Sequence, residues 1–175
     1  MITAFMSWLG RLFRWDVEPI SNQPHTMNEQ IVPVLPSRAD ELYELAKSLR
    51  GRHLTLDESV PRVVGCAQAV SKVLQLFGTP GIPQKGISGT DAIGDFLDRC
   101  TSFSKGGEPG AGKIILFRTG KSNGKIRGHI FIGGQRSLMS NNSETGLWSD
   151  HWQLDEAKRY YGVYGAIPME VYTPL

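Results

Sequence analysis

One cysteine of this sequence stands where a thiol can act as a nucleophile. Cys66 opens the segment CAQAVSKVLQLFG, whose apolar spacing predicts a helix that ends at Gly78. Backbone amides at a helix N-terminus favour negative charge, so we expect a lowered pKa for this thiol. The neighbours Gly65 and Ala67 are small, which leaves room for a substrate. Taken alone, the segment is also typical of a buried cysteine at the start of a core helix.

A histidine in the predicted strand GHIFIGG is the candidate base for that thiol. Side chains alternate along a strand, so His129 and Phe131 share one face while Ile130 and Ile132 share the other. We expect the isoleucines to face the core and His129 to face a cleft. A structural role for a single histidine in a strand is the alternative.

The segment SNNS supplies a candidate third residue. A histidine that serves as a base needs an acceptor for its second ring nitrogen, and an amide oxygen can fill that role. Asn141 follows His129 by the length of one strand, a turn and most of a returning strand, so we prefer it over Asn142. The alternatives are that the two asparagines only shape a turn, or that His151 partners the site instead.

The elements that must position these residues change in type along the chain. Ser37 resembles an N-cap for a first helix that ends near Gly51, and a third helix is predicted from Thr90. Short segments rich in branched and aromatic residues follow, and they predict an antiparallel sheet: KIILFRT, GHIFIGG, RSLMSNN and one or two strands in YGVYGAIPMEVYTPL. We therefore predict an α+β fold with the helices packed on one face of a small sheet.

Composition excludes several classes of protein. The 175 residues suit one domain with an extension, and two cysteines cannot form a disulfide framework. The net charge of +2 is mild and the basic residues are dispersed, so we expect no nucleic-acid partner. No metal-ligand spacing is present, and GEPGAGKI has Ile114 where a phosphate loop needs Ser or Thr. We expect neither a metal nor a cofactor.

The chain divides into three predicted parts. Residues 1–15 have the apolar spacing of an amphipathic helix that is too short to span a bilayer. Three roles remain open for it: lying in a membrane interface, docking on a partner such as a virion component, or packing on its own domain. Residues 16–36 contain four prolines and predict a linker or extended arm, and residues 37–175 form the domain.

Aromatic residues are frequent behind the candidate third residue. Trp148, Trp152, Tyr160 and Tyr161 either wall a groove for a peptide or a sugar, or belong to the core.

The order of these motifs resembles a known family. GCAQAV on a helix, then EPGAGKIILF as a strand, GHIFIGG and a polar residue on the next strand are similar to the NlpC-type and CHAP cell-wall hydrolases. The resemblance covers residues 37–175 and is most specific from Gly65 to Asn142. It implies a papain-like fold and a bacterial or phage enzyme that cleaves peptidoglycan peptides. It also implies a cell-envelope, periplasmic or phage-particle location.

By position, the resemblance makes Cys66 the nucleophile, His129 the base and Asn141 the third residue. Two departures accompany it. The family's Pro-Gly-Asp turn is replaced by Pro-Gly-Ala-Gly-Lys, and no side-chain oxyanion donor stands upstream of the cysteine except the candidates His53 and Ser59. The alternative function is a virion-structural or binding protein that keeps the fold with reduced or lost catalysis. An acyltransferase or a protease acting on a protein is a third class that the same cysteine and histidine permit.

Overall fold

The helices begin at residues that the sequence marks. The computed structural model describes residues 35–61 and 65–175; the predicted helix of residues 1–15 and nearly all of the predicted arm lie outside them. Ser37 forms a capping box with Asp40, in which each side chain accepts the other's backbone N–H at 3.0 to 3.1 Å. The α-helices are α1 (Arg38–Ser48), α2 (Cys66–Leu76), α3 (Thr90–Arg99) and α4 (Leu154–Ala157).

The described strands form one six-stranded antiparallel sheet in the order β1-β6-β2-β3-β4-β5. Three of the predicted strand segments coincide with β2, β3 and β4, and the C-terminal segment supplies β6. The strands are β1 (Phe103–Lys105), β2 (Ile114–Phe117), β3 (His129–Gly133), β4 (Leu138–Asn141), β5 (Trp148–Trp152) and β6 (Met169–Pro174). The predicted α+β class with an antiparallel sheet is confirmed.

Apolar side chains cover both faces of the sheet. Helices α1, α2 and α3 pack on one face, where Ile130 and Ile132 of β3 belong to the larger buried cluster. The other face carries a smaller cluster that contains Phe131 and Tyr161. Tyr161 comes from a seven-residue π-helix, Lys158–Tyr164, which directly follows α4. The helices are therefore not confined to one face, because this C-terminal helical segment covers the second one.

A buried ion pair joins α3 to the sheet. The Arg118 side chain is 5% exposed, and its guanidinium donates to the carboxylate of Glu170, which is 7% exposed, at 3.1 Å. Arg118 also donates to Asp98 on α3 and to the hydroxyl of Tyr172. A Cβ on Gly94 would lie 2.4 Å from the guanidinium carbon, so this helix position must be glycine for the contact to form.

The turn before β2, which reads Pro-Gly-Ala-Gly-Lys, needs its second glycine because helix α1 lies against it. Gly112 has φ +69°, and a Cβ there would lie 1.7 Å from the backbone oxygen of Ala39 in α1. A non-glycine residue cannot occupy this approach between α1 and the sheet.

Within the part of the chain that the structure describes, no helix has the length and apolar character that crossing a membrane requires.

Candidate functional site

A cavity of about 440 Å³ lies where β3 begins, and it brings together most of the residues that the sequence singled out. Its walls come from the first turn of α2, the start of α3, the loop before β3 and the C-terminal π-helix. The residues that line it include Cys66, Thr119, Lys125, Arg127, Gly128, His129, Asn141, His151, Trp152, Tyr160 and Tyr161.

Cys66 is the first residue of α2 and is 8% exposed. Burial raises the pKa of its thiol to about 11, while the backbone amides of Ile130, Ala67 and Cys66 itself act in the opposite direction. The expected lowering of this pKa by the helix N-terminus is therefore wrong, because desolvation outweighs the amides. The resting thiol is protonated at neutral pH.

The His129 ring is held by a short relay of hydrogen bonds. Its Nε2 lies 2.8 Å from Ser140 Oγ, and that hydroxyl donates to the backbone oxygen of Ile130, also at 2.8 Å. A serine hydroxyl has one proton to donate, so Ser140 accepts from an Nε2–H of the neutral ring. This tautomer leaves Nδ1 as the ring's proton acceptor. Desolvation lowers the pKa of His129 to about 3, and the nearby charge of His151 adds to that lowering.

The ring contact predicted for Asn141 is made by Ser140 instead. The β3–β4 hairpin pairs Gly133 with Leu138 and Ile132 with Met139, so continuing the register places Asn141 opposite Ile130, on the face that α2 covers. Ser140 falls opposite Phe131, on the face of His129. Asn141 still lines the cavity and is 2% exposed.

Asn142 has the turn-shaping role that was the alternative for this pair. Its side-chain oxygen accepts the backbone N–H groups of Glu144 and Thr145 at 2.8 and 3.2 Å.

Cys66 and His129 approach the cavity from different faces of the sheet. Cys66 belongs to the cluster beneath α1, α2 and α3, whereas the His129 ring packs on Phe131 and Tyr161 of the other cluster. No hydrogen bond joins the Cys66 thiol to the His129 ring. Burial and the charge of a Cys66 thiolate both raise the pKa of Tyr161, which places the sulfur within electrostatic reach of the second face. The cavity is where the two faces meet, beyond the first residue of β3.

The aromatic residues divide between the two roles that the sequence left open. Trp148 is fully buried, and its indole N–H donates to the backbone oxygen of Ala46 at 2.8 Å, so it belongs to the core. Trp152, Tyr160 and Tyr161 line the cavity. Tyr161 stacks on His129 with ring centroids 5.7 Å apart and an angle of 22°.

Two threonines that were not among the predicted site residues fix the entry to β3. Thr119 Oγ1 accepts the backbone N–H of Gly128 at 2.8 Å, and Thr90 Oγ1 accepts the backbone N–H of Thr119 at 3.0 Å. A Cβ on Gly128 would lie 2.2 Å from the Phe117 backbone oxygen, so glycine is required beside His129. Gly128 could be noticed from the sequence because it directly precedes His129. Thr90 and Thr119 are separated from it in the sequence and reach this site only in the folded chain.

The remaining candidates occupy other places. His53 contacts the Gly146 backbone oxygen at 2.9 Å, Ser59 donates to Asp57, and neither lines the cavity. His151 lines the cavity, with its Nδ1 3.0 Å from Ser149 Oγ rather than on the His129 ring. Among the described residues, no group of three His, Cys, Asp or Glu side chains converges as a metal site.

Comparisons of the chain with protein-family models, curated proteins and solved structures give no match.

Proposed function

We propose that this protein is a thiol hydrolase of papain-like, NlpC or CHAP type that cleaves an amide bond in peptidoglycan. The observation that carries the proposal is that Cys66 and His129 line the same cavity, with the ring tautomer fixed so that Nδ1 can accept a proton. The motif order that resembles cell-wall hydrolases supports peptidoglycan as the substrate.

In the proposed reaction, Cys66 Sγ attacks the amide carbonyl carbon as its proton passes to His129 Nδ1. The backbone amide of Cys66, at the first residue of α2, donates to the oxyanion. The C–N bond then breaks, the leaving amine takes the proton from Nδ1, and a thioester remains. Water attacks the thioester carbon and gives a proton to Nδ1. The C–S bond then breaks, Cys66 Sγ takes that proton back from Nδ1, and the carboxylic acid is released.

Ser140 positions the base in this scheme. Its hydroxyl accepts from Nε2–H and would stabilise the imidazolium that forms during the reaction. Because both the thiol and the imidazole are neutral at rest, the thiolate forms during attack rather than existing beforehand. This distinguishes the proposed mechanism from that of a preformed thiolate–imidazolium pair.

The second candidate is a virion-structural or binding protein with the same fold and reduced catalysis. The raised pKa of Cys66 and the lowered pKa of His129 favour it, because a buried neutral pair is less reactive than an ion pair. In that case the cavity binds a peptide or glycan without cutting it.

Clearing of purified sacculi by the full chain tests the proposal. Wild type and Cys66→Ala are compared, with Cys100→Ala as the matched control because Cys100 is the other free cysteine and does not line the cavity. We expect wild type and Cys100→Ala to clear sacculi and Cys66→Ala to be inactive.

Equal clearing by Cys66→Ala and wild type would refute the thiol mechanism. Cosedimentation of all three proteins with sacculi, without release of soluble fragments, would support the binding alternative.

A further inference from the structure

The cavity that contains Cys66 is lined by basic side chains. Lys125, Arg127 and His151 line it, whereas none of its described lining residues is Asp or Glu. Cavities lined by one sign of charge attract ligands of the opposite sign.

The two permanent cations are not neutralised by the protein. Neither Lys125 nor Arg127 forms an ion pair with any described residue. By contrast, Lys121, only four residues earlier, pairs with the carboxylate of Glu170. The positive charge at the cavity is therefore available to a ligand.

A tyrosine hydroxyl in the same cavity is also unpaired among the described residues. Tyr161 is 5% exposed, and its ring is packed against Phe117 and His129. Its hydroxyl makes no hydrogen bond with any residue that the structure describes, and its oxygen is not enclosed by protein, so it is open to the cavity. Because Tyr161 lines the cavity, a bound ligand can supply the missing acceptor.

We infer that the cavity binds a peptide that carries a carboxylate next to the scissile amide, with Lys125 and Arg127 holding the carboxylate and the Tyr161 hydroxyl donating to the ligand. The identity of the reacting bond rests on the proposed function, whereas the preference for an anion does not. A carboxylate in the cavity would also favour the protonated His129 ring, raising the pKa that desolvation and His151 lower. Binding of an acidic substrate would thereby make the base stronger.

The inference is tested with two alkylating probes of nearly equal size, anionic iodoacetate and neutral iodoacetamide. Each displaces iodide to form a bond to sulfur, and peptide mass spectrometry gives the rate at Cys66 and, in the same sample, at Cys100. The measured quantity is the iodoacetate-to-iodoacetamide rate ratio at Cys66 divided by the same ratio at Cys100.

We expect this quotient to be about 5 in the wild type at low salt and to fall toward 1 in 1 M salt, which screens the charges. Lys125→Ala/Arg127→Ala should bring it close to one. Arg52→Ala/Arg136→Ala removes the same charge from exposed positions that do not line this cavity, and it should keep the wild-type value. Tyr161→Phe retains the ring and should lower the quotient about twofold.

A quotient near one in the wild type, or one that the Lys125/Arg127 pair does not change, would overturn the inference. Failure of both probes to modify Cys66 in the folded protein would overturn it as well, since a ligand could not then reach the sulfur. The alkylation measurement does not depend on turnover. If the protein does not clear sacculi but its Cys66 still prefers iodoacetate, the proposed hydrolase function is wrong and the anion site stands.

Discussion

The imidazole of His129 is held by Ser140, whose hydroxyl lies 2.8 Å from Nε2 and donates a hydrogen bond to the Ile130 backbone oxygen. This relationship decides which ring nitrogen is available for chemistry. It also links the candidate base to the backbone of the next residue, whose amide acts on the Cys66 thiol. One serine thus connects the second ring nitrogen to the strand that borders the nucleophile.

Ser140→Ala should reduce clearing of sacculi by about tenfold to a hundredfold, because an unanchored ring populates unproductive orientations and the wrong tautomer. The ¹⁵N chemical shifts of His129 should show Nε2–H in the wild type and a mixture of tautomers in the variant. Asn141→Ala is the comparison. If it alters the tautomer while Ser140→Ala does not, the assignment of the ring partner is wrong.

The Cys66 thiol should be alkylated by iodoacetamide with a rate that keeps increasing above pH 9. Below a pKa of about 11 the thiolate fraction grows tenfold with each pH unit, and alkylation follows that fraction. Rates measured by peptide mass spectrometry from pH 6 to 11 check this. A plateau reached below pH 8 would mean that the thiolate is already stabilised in the resting protein.

The stability of the protein should fall as the pH drops from about 6.5 toward 3. The pKa of His129 is lowered to about 3 in the folded protein, so the unfolded chain binds the extra proton throughout that window. The expected slope is at most about 1.4 kcal/mol per pH unit. His129→Gln should remove the slope between about pH 6.5 and 5, above the range in which Glu170 and the other carboxylates bind protons, and an unchanged slope there in urea unfolding curves would show that the folded ring titrates normally.

Much of the fold could be predicted because local chemistry and tertiary structure agree there. Ser37 caps α1, Cys66 begins α2, and the alternation of Ile130 and Ile132 assigns the core face of β3 correctly. Neither edge strand was predicted. β1 has only three residues, and the β5 sequence WSDHW lacks an alternating apolar pattern, so these strands are set by pairing with β6 and β4.

Two predictions about the site were wrong, the choice of Asn141 as the partner of the His129 ring and the lowered pKa of Cys66, and each has its own physical cause. Across the β3–β4 hairpin, residues on one face differ by an odd number of positions, so Asn141, twelve after His129, falls on the opposite face and Ser140 on the same one. The register that decides this depends on the turn. Desolvation of Cys66 is likewise a property of the packed core, which the position of a cysteine in a helix does not reveal.

Gly128→Ala should destabilise the protein by about 2 kcal/mol or more, because the new Cβ would lie 2.2 Å from the Phe117 backbone oxygen and 2.4 Å from the Thr119 backbone nitrogen. The start of β3 must then shift, and clearing of sacculi should fall with it. Gly110→Ala is the matched control, since its Cβ would meet only Lys113 Cε at 3.9 Å. Equal stability of both variants in urea unfolding would contradict this prediction.

The Arg118–Glu170 pair gives the sharpest stability prediction away from the cavity. Desolvation alone would raise the pKa of Glu170, but hydrogen bonds from Lys105, Lys121, Tyr172 and Arg118 lower it to about 2. Without the guanidinium, the buried charge of Glu170 loses its ion pair with Arg118. Arg118→Met should therefore lower the free energy of unfolding by about 3 kcal/mol.

Arg118→Met/Glu170→Gln should recover part of that loss, because no uncompensated buried charge remains. Arg38→Met is the control for loss of an arginine from an exposed pair, that with Glu41 on α1, and it should change the free energy of unfolding by less than about 1 kcal/mol. Urea unfolding at pH 7 measures all three. If the double variant is no more stable than Arg118→Met, the loss arises from packing of the arginine side chain rather than from the charge left on Glu170.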